Sequence, residues 1–195
     1  MIEAKILDGN AYLYTPYNPK FITAIKKIGG ARWISSERAW MIPEYALDEA
    51  RKAMMECFGE CDLPSSSPKV TVRLSFSKRV SEECGPIIIM GKRVASAMDR
   101  DSGAVVCRDA IFTQGAPESG GSRNHWETII PRGSEVILYD VPSAILGDPL
   151  PDGVAFEVVG ESKPDRTALL REREQLLARL AEIDKELGGG VNHEG

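Results

Sequence analysis

The sequence predicts an α+β protein with three parts: a small N-terminal α/β module, a β-rich barrel or sandwich in the middle, and a coiled-coil-like helix at the C-terminus. Three observations carry this prediction. Within residues 1–62, two helix-patterned stretches flank a pair of short Trp-centred strands. From 69 to 162, short β-branched runs alternate with Gly/Pro turns. From 164 to 187, leucines and an isoleucine recur at heptad spacing.

The N-terminal part opens with a hairpin signal. Lys5-Ile6-Leu7 and Ala11-Tyr12-Leu13-Tyr14 are apolar-rich runs on either side of Asp8-Gly9-Asn10, a turn composition that tolerates positive φ. Asn18 is placed to cap a helix whose first residue is Pro19, where the missing N–H costs nothing. Phe21, Ile22, Ile25 and Ile28 then share one helical face, and Gly29-Gly30 ends the helix. Ala31-Arg32-Trp33-Ile34 and Ala39-Trp40-Met41-Ile42-Pro43 read as strands joined by Ser35-Ser36-Glu37-Arg38. A second helix, Glu44 to Phe58, offers Tyr45, Leu47, Ala50 and Met54 for burial.

The stretch from Tyr17-Asn18-Pro19 to Phe58 has a helix, a Gly-Gly stop, Arg32-Trp33, Glu37-Arg38-Ala39-Trp40, Pro43 and a helix. In this order it resembles the HARP module of annealing helicases and of assorted phage and plasmid proteins. The resemblance implies DNA binding at branched or single-stranded/double-stranded junctions, and it suggests a phage or mobile-element setting. Lys20, Lys26, Lys27, Arg32 and Arg38 are the cations that would neutralise phosphates. Tyr17 or Trp33, if exposed, would stack on an unpaired base. The competing reading makes Trp33 and Trp40 core residues and Lys26-Lys27 a solvated helix end. The acidic second helix, with Glu44, Asp48, Glu49 and Glu56, limits any basic surface to one face.

Leu63-Pro64-Ser65-Ser66-Ser67-Pro68 has the composition of an exposed linker. Beyond it, strands are expected at Val70–Phe76, Ile87–Met90, Ala104–Cys107, Trp126–Ile130, Val136–Tyr139 and Phe156–Val159, with a short helical turn as one reading of Val94–Met98. Gln114 to His125 reads as a flexible loop, and Arg123, Asn124 and His125 are its candidate contact residues. A general-base role for His125 lacks a partner set in the sequence. Gly120-Gly121-Ser122-Arg123 lacks the strand–GxxxxGK[ST]–helix frame of a P-loop. The basic pairs Lys78-Arg79 and Lys92-Arg93 read as solvated strand ends or as an extension of a basic face.

Leu169, Leu176, Leu180, Ile183 and Leu187 occupy alternating heptad positions. They predict a helix over 164–187 that associates with another copy of itself, with the protein's own domain or with a partner. The residues after it, 188–195, read as a disordered tail.

Charge is nearly balanced in each part; the first 62 residues hold 8 basic and 9 acidic side chains, so any electrostatic argument must be local. The net charge of −5 and a pI near 5.2 fit neither an overall basic nucleic-acid binder nor a polybasic tail. No apolar run approaches a membrane span, and MIEAKILDGNAYL lacks a signal-peptide pattern, so a cytoplasmic protein is expected. Four cysteines without matched pairs or well-placed histidines predict reduced, mostly buried thiols and no metal; no cofactor motif is present. The function expected is non-enzymatic nucleic-acid binding, with branched or single-stranded/double-stranded junction DNA as the ligand. The alternative is a protein-binding inhibitor or adaptor such as a phage anti-defence protein acting on a host protein.

Overall fold

The computed structural model of the chain describes residues 2–64, 67–161, 174–180 and 183. The expected α+β class is overturned. The protein is mostly β, with 43% strand and 20% helix, and its strands form four small sheets.

The first sheet contains β1 (Glu3–Leu7), β2 (Asn10–Tyr14), β3 (Arg32–Ile34) and β4 (Ala39–Pro43), in the antiparallel order β1-β2-β4-β3. Asp8 and Gly9 both have positive φ, at 50° and 70°. This is the two-residue type I′ turn whose twist matches the strands it joins. Helices α1 (Pro19–Ile25) and α2 (Leu47–Phe58) pack on one face, with a 3₁₀ turn, Glu44–Ala46, leading into α2. Their buried residues Phe21, Ile25, Leu47, Ala50, Met54 and Phe58 meet Ala11, Leu13, Trp40 and Ile42 in one core. Tyr45, expected in that core, is 86% exposed because it precedes α2 in the 3₁₀ turn. The first helix also ends before Ile28: Lys27 and Ile28 donate to carbonyls three residues back, tightening the chain towards Gly30.

Asn18 explains why the two helices meet. Its side-chain oxygen accepts from the Lys20 and Phe21 amides at 2.9 and 3.4 Å, while its amide nitrogen donates to the Cys57 carbonyl at 3.3 Å. One buried side chain thus caps the start of α1 and satisfies a carbonyl in the last turn of α2. Gly59, at φ 70°, ends α2 in the left-handed conformation.

Among the described residues ten further strands follow, and eight of them contribute to a second core. The ten are β5 (Lys69–Phe76), β6 (Val80–Glu83), β7 (Ile87–Ile89), β8 (Lys92–Ala97), β9 (Ala104–Val106), β10 (Ala110–Gln114), β11 (Glu118–Gly121), β12 (Trp126–Ile130), β13 (Glu135–Pro142) and β14 (Val154–Glu161). They divide into three antiparallel sheets, ordered β10-β13-β5-β14, β11-β12-β6 and β7-β8-β9, in place of one closed barrel or two facing sheets. Alternation along β5 puts Val70, Val72, Leu74 and Phe76 inside against Val136, Leu138 and Val141 of β13. Buried Thr128 ties two sheets together, since its hydroxyl donates to the Gly85 carbonyl at 2.6 Å and accepts from the Ala97 amide at 2.9 Å.

Two expectations in this region are corrected. Val94–Met98 is not a helical turn, because Val94 to Ala97 belong to β8. Gln114–His125 is not a flexible loop: Gln114 ends β10, and Glu118 to Gly121 form β11, which pairs with β12 from Glu118↔Ile129 to Gly121↔Trp126. The parts outside strands are Gly115–Pro117 and the tip, Ser122–His125.

Residues 1–162 form one compact unit. The two cores meet where Gly91 approaches the backbone of Cys57 and Phe58, and where Gly59 approaches Pro142 and Ile145. Lys69 reaches Glu60 at 2.8 Å beside this contact.

The coiled-coil-like helix expected over 164–187 is also overturned. The described C-terminal helix covers 174–180, about two turns, whereas a coiled-coil seam needs several heptads. Leu176 and Leu180 are more than half exposed on it, and Leu177 is 50% exposed. Ile183 is half-buried. Leu169, Leu187 and the tail 188–195 lie outside the described residues.

Candidate nucleic-acid interface

The short hairpin β3–β4 positions three of the expected contact residues. Register pairs Arg32 with Met41, Trp33 with Trp40 and Ile34 with Ala39. Directly opposed residues of an antiparallel pair point to the same face, so Trp33 and Trp40 share the helix-covered side and Arg32 projects from the other. The two indoles meet edge-on, with ring centroids 5.7 Å apart. Their burial differs: Trp40 is in the core, whereas Trp33, on the edge strand, is 49% exposed. Arg38 turns the hairpin with φ at 51° and is exposed. Among the described residues neither Arg32 nor Arg38 has a carboxylate within ion-pair distance.

The other expected cations lie apart from this hairpin. Lys26 and Lys27 are exposed after the last turn of α1. Lys20, at the start of α1, lines a cleft of about 420 Å³ between α1, the end of α2 and the β7–β8 turn. Glu56, Glu82 and Asp148 line the same cleft, so Lys20 faces three carboxylates and the cleft does not suit an anion. Tyr17, before Asn18, is 47% exposed. Cys57 lines the cleft too. Burial first, and then Glu56, push its thiol up, so it stays protonated at neutral pH. It is the one buried cysteine of four; Cys61 and Cys107 are half-buried, Cys84 is exposed, and all are free thiols.

Arg123, Asn124 and His125 occupy the tip of the β11–β12 hairpin, and all three are exposed. Ser122 and His125 close this turn by two hydrogen bonds: the Ser122 amide donates to the His125 carbonyl at 2.9 Å, and the His125 amide donates to the Ser122 hydroxyl at 3.1 Å. The His125 ring, through Nδ1, is held by the Glu83 carboxylate across the sheet. The Cys84 thiol donates to the Asn124 carbonyl at 3.6 Å. The sequence offered His125 no partner because Glu83 is 42 residues away; strand pairing of β6 with β12 brings them together. The imidazole is oriented, but it stands on an exposed turn outside the 420 Å³ cleft.

Sequence reasoning also passed over the second face of the first sheet. Successive register pairs align Lys5, Tyr12, Met41 and Arg32 in a row across all four strands. The alternation of β2 signals it: Ala11 and Leu13 are buried, while Tyr12 and Tyr14 are half-buried on the opposite side.

No protein-family profile, no curated protein and no solved structure matches the chain. Among the described residues no helix is long and apolar enough to cross a membrane.

Proposed function

We propose that the chain is a non-enzymatic nucleic-acid-binding protein of the cytoplasm, with DNA at single-stranded/double-stranded junctions as its ligand. One observation carries the reading. The β3–β4 hairpin carries two exposed arginines, Arg32 and Arg38, both without an ion-pair partner among the described residues, together with a half-exposed indole, Trp33. Guanidinium groups not engaged by carboxylates are available to phosphates, and their contacts release counterions. An indole at the sheet edge offers a ring edge to a nucleotide at a fork.

The reading also rests on the resemblance of Tyr17–Phe58 to the HARP module. Its test is fluorescence anisotropy of a labelled forked DNA with the full chain. The double substitution Arg32→Glu and Arg38→Glu is expected to weaken binding at least about tenfold, since each lost phosphate contact also becomes a repulsion. Equal affinity of the double variant and the parent for the fork rejects it.

A further inference from the structure

We propose that the open face of the first sheet is a platform for single-stranded DNA, with Tyr12 as the stacking residue and Lys5 and Arg32 as flanking phosphate contacts. This rests on the nucleic-acid-binding reading and extends it from Arg32 across the sheet face that Arg32 shares, and to unpaired strand.

The face follows from register. Glu3, Lys5 and Leu7 of β1, Asn10, Tyr12 and Tyr14 of β2, Ala39, Met41 and Pro43 of β4, and Arg32 and Ile34 of β3 alternate with the residues that pack under the helices. Ala39 and Met41, in the central strand of this face, are buried yet belong to neither core. On this face Lys5 and Arg32 are exposed and Tyr12 is partly exposed.

The central row has the chemistry of a single-strand site. Strands lie about 4.8 Å apart, so the row from Lys5 to Arg32 spans roughly 14 Å. A cation stands at each end, with an aromatic ring and a thioether between them. Lys5 is already drawn to aromatic surface, its ammonium 5.0 Å from the centre of the Tyr14 ring. Its ion pair with Glu3 is long, at 3.6 Å, and exposed on both sides, so a phosphate can replace the carboxylate with little loss. The face carries two cations against one carboxylate, in a chain whose net charge is −5. That local reversal of sign is the complementarity a polyanion needs.

Duplex DNA buries its base faces in the stack and cannot use the Tyr12 ring. An unpaired strand can lay a base on it while its backbone meets the cations.

The test compares an oligothymidylate with a fully paired duplex and the forked DNA, using the full chain and anisotropy. Tyr12→Leu keeps apolar bulk but removes the aromatic ring, and it is expected to weaken oligothymidylate binding about tenfold while duplex affinity is unchanged. Tyr12→Phe is expected to bind within about twofold of the parent, since the ring is kept. Lys5→Glu, at an exposed position that does not enter the core, is expected to weaken the same complex and reduce its salt dependence. It decides the matter if Tyr12→Leu lowers the thermal midpoint. Undiminished oligothymidylate binding by Lys5→Glu and Tyr12→Leu, with Arg32→Glu/Arg38→Glu still losing the fork, overturns the platform and leaves the hairpin reading intact. Tighter binding of oligouridylate than oligothymidylate overturns the DNA assignment. A parent chain that binds none of these nucleic acids overturns both readings.

Discussion

Single residues at positive φ decide how the chain turns. Asp8-Gly9 and Met90-Gly91 are both two-residue turns with both residues at positive φ, at 50° and 70° in the first and 50° and 71° in the second. The first is legible because Asp-Gly is a common type I′ pair. The second is not, because Met is a poor left-handed residue; it is held there by burial in the larger core. Gly91 carries a second requirement. A Cβ there would lie 2.8 Å from the Cys57 carbonyl oxygen and 2.9 Å from the Phe58 Cα, both backbone atoms. Gly91→Ala is therefore expected to destabilise the protein by about 2 kcal/mol or more, from left-handed strain plus the clash. Chemical denaturation monitored by far-ultraviolet circular dichroism checks it, and the neighbouring exposed Arg93→Ala serves as the near-neutral control.

At the scale of elements, α2 is anchored to the residues that follow it by Arg51. Its guanidinium grips Asp62 with two hydrogen bonds, Nε to Oδ1 at 2.9 Å and Nη2 to Oδ2 at 2.8 Å, and reaches Asp48 at 3.1 Å. The hydrogen bonds from Arg51 hold the Asp62 carboxyl below its ordinary range, against an opposing push from burial. The folded value thus lies below the unfolded one, about 3.9, so the pair's contribution is complete above that pH and is lost as pH falls through the lower, folded value. Asp62→Asn is expected to cost about 1–3 kcal/mol at pH 7. The gap between variant and parent should narrow below about pH 4, as measured by denaturation across a pH series. The β11–β12 hairpin belongs to the same scale. Gly115, Gly120 and Gly121 suggested a loop, but Gly121, at φ 80°, instead makes room for the His125 carbonyl beside it.

For the whole molecule, the compact unit 1–162 contains both cores and the contacts that join them. A chain ending at residue 162 is expected to unfold within a few degrees of the full chain, because among the described residues neither core has a member beyond it. Differential scanning calorimetry of both chains checks this, and a large drop would give the C-terminal residues a stabilising role. The leucine periodicity that suggested a long coiled coil is a pattern of side chains. It does not supply the several turns of continuous helix that a seam requires.

The sequence by itself determined the local devices of this protein. The Asp8-Gly9 turn, the Asn18 cap with Pro19 behind it, the alternation of β5 and the break after α2 all depend on backbone conformations that a few adjacent residues set. It also placed Arg32 beside Trp33 and Arg38 in the turn before Ala39-Trp40. Tertiary structure decided which strands share a sheet, and with that which side chains share a face. Tyr12 and Arg32 are 20 residues apart, and only pairing of β2 and β3 on opposite sides of β4 aligns them with Lys5. His125 and Glu83 meet by the same kind of non-local pairing. Strand register is a property of two distant segments together, which is why these faces could not be read along one chain.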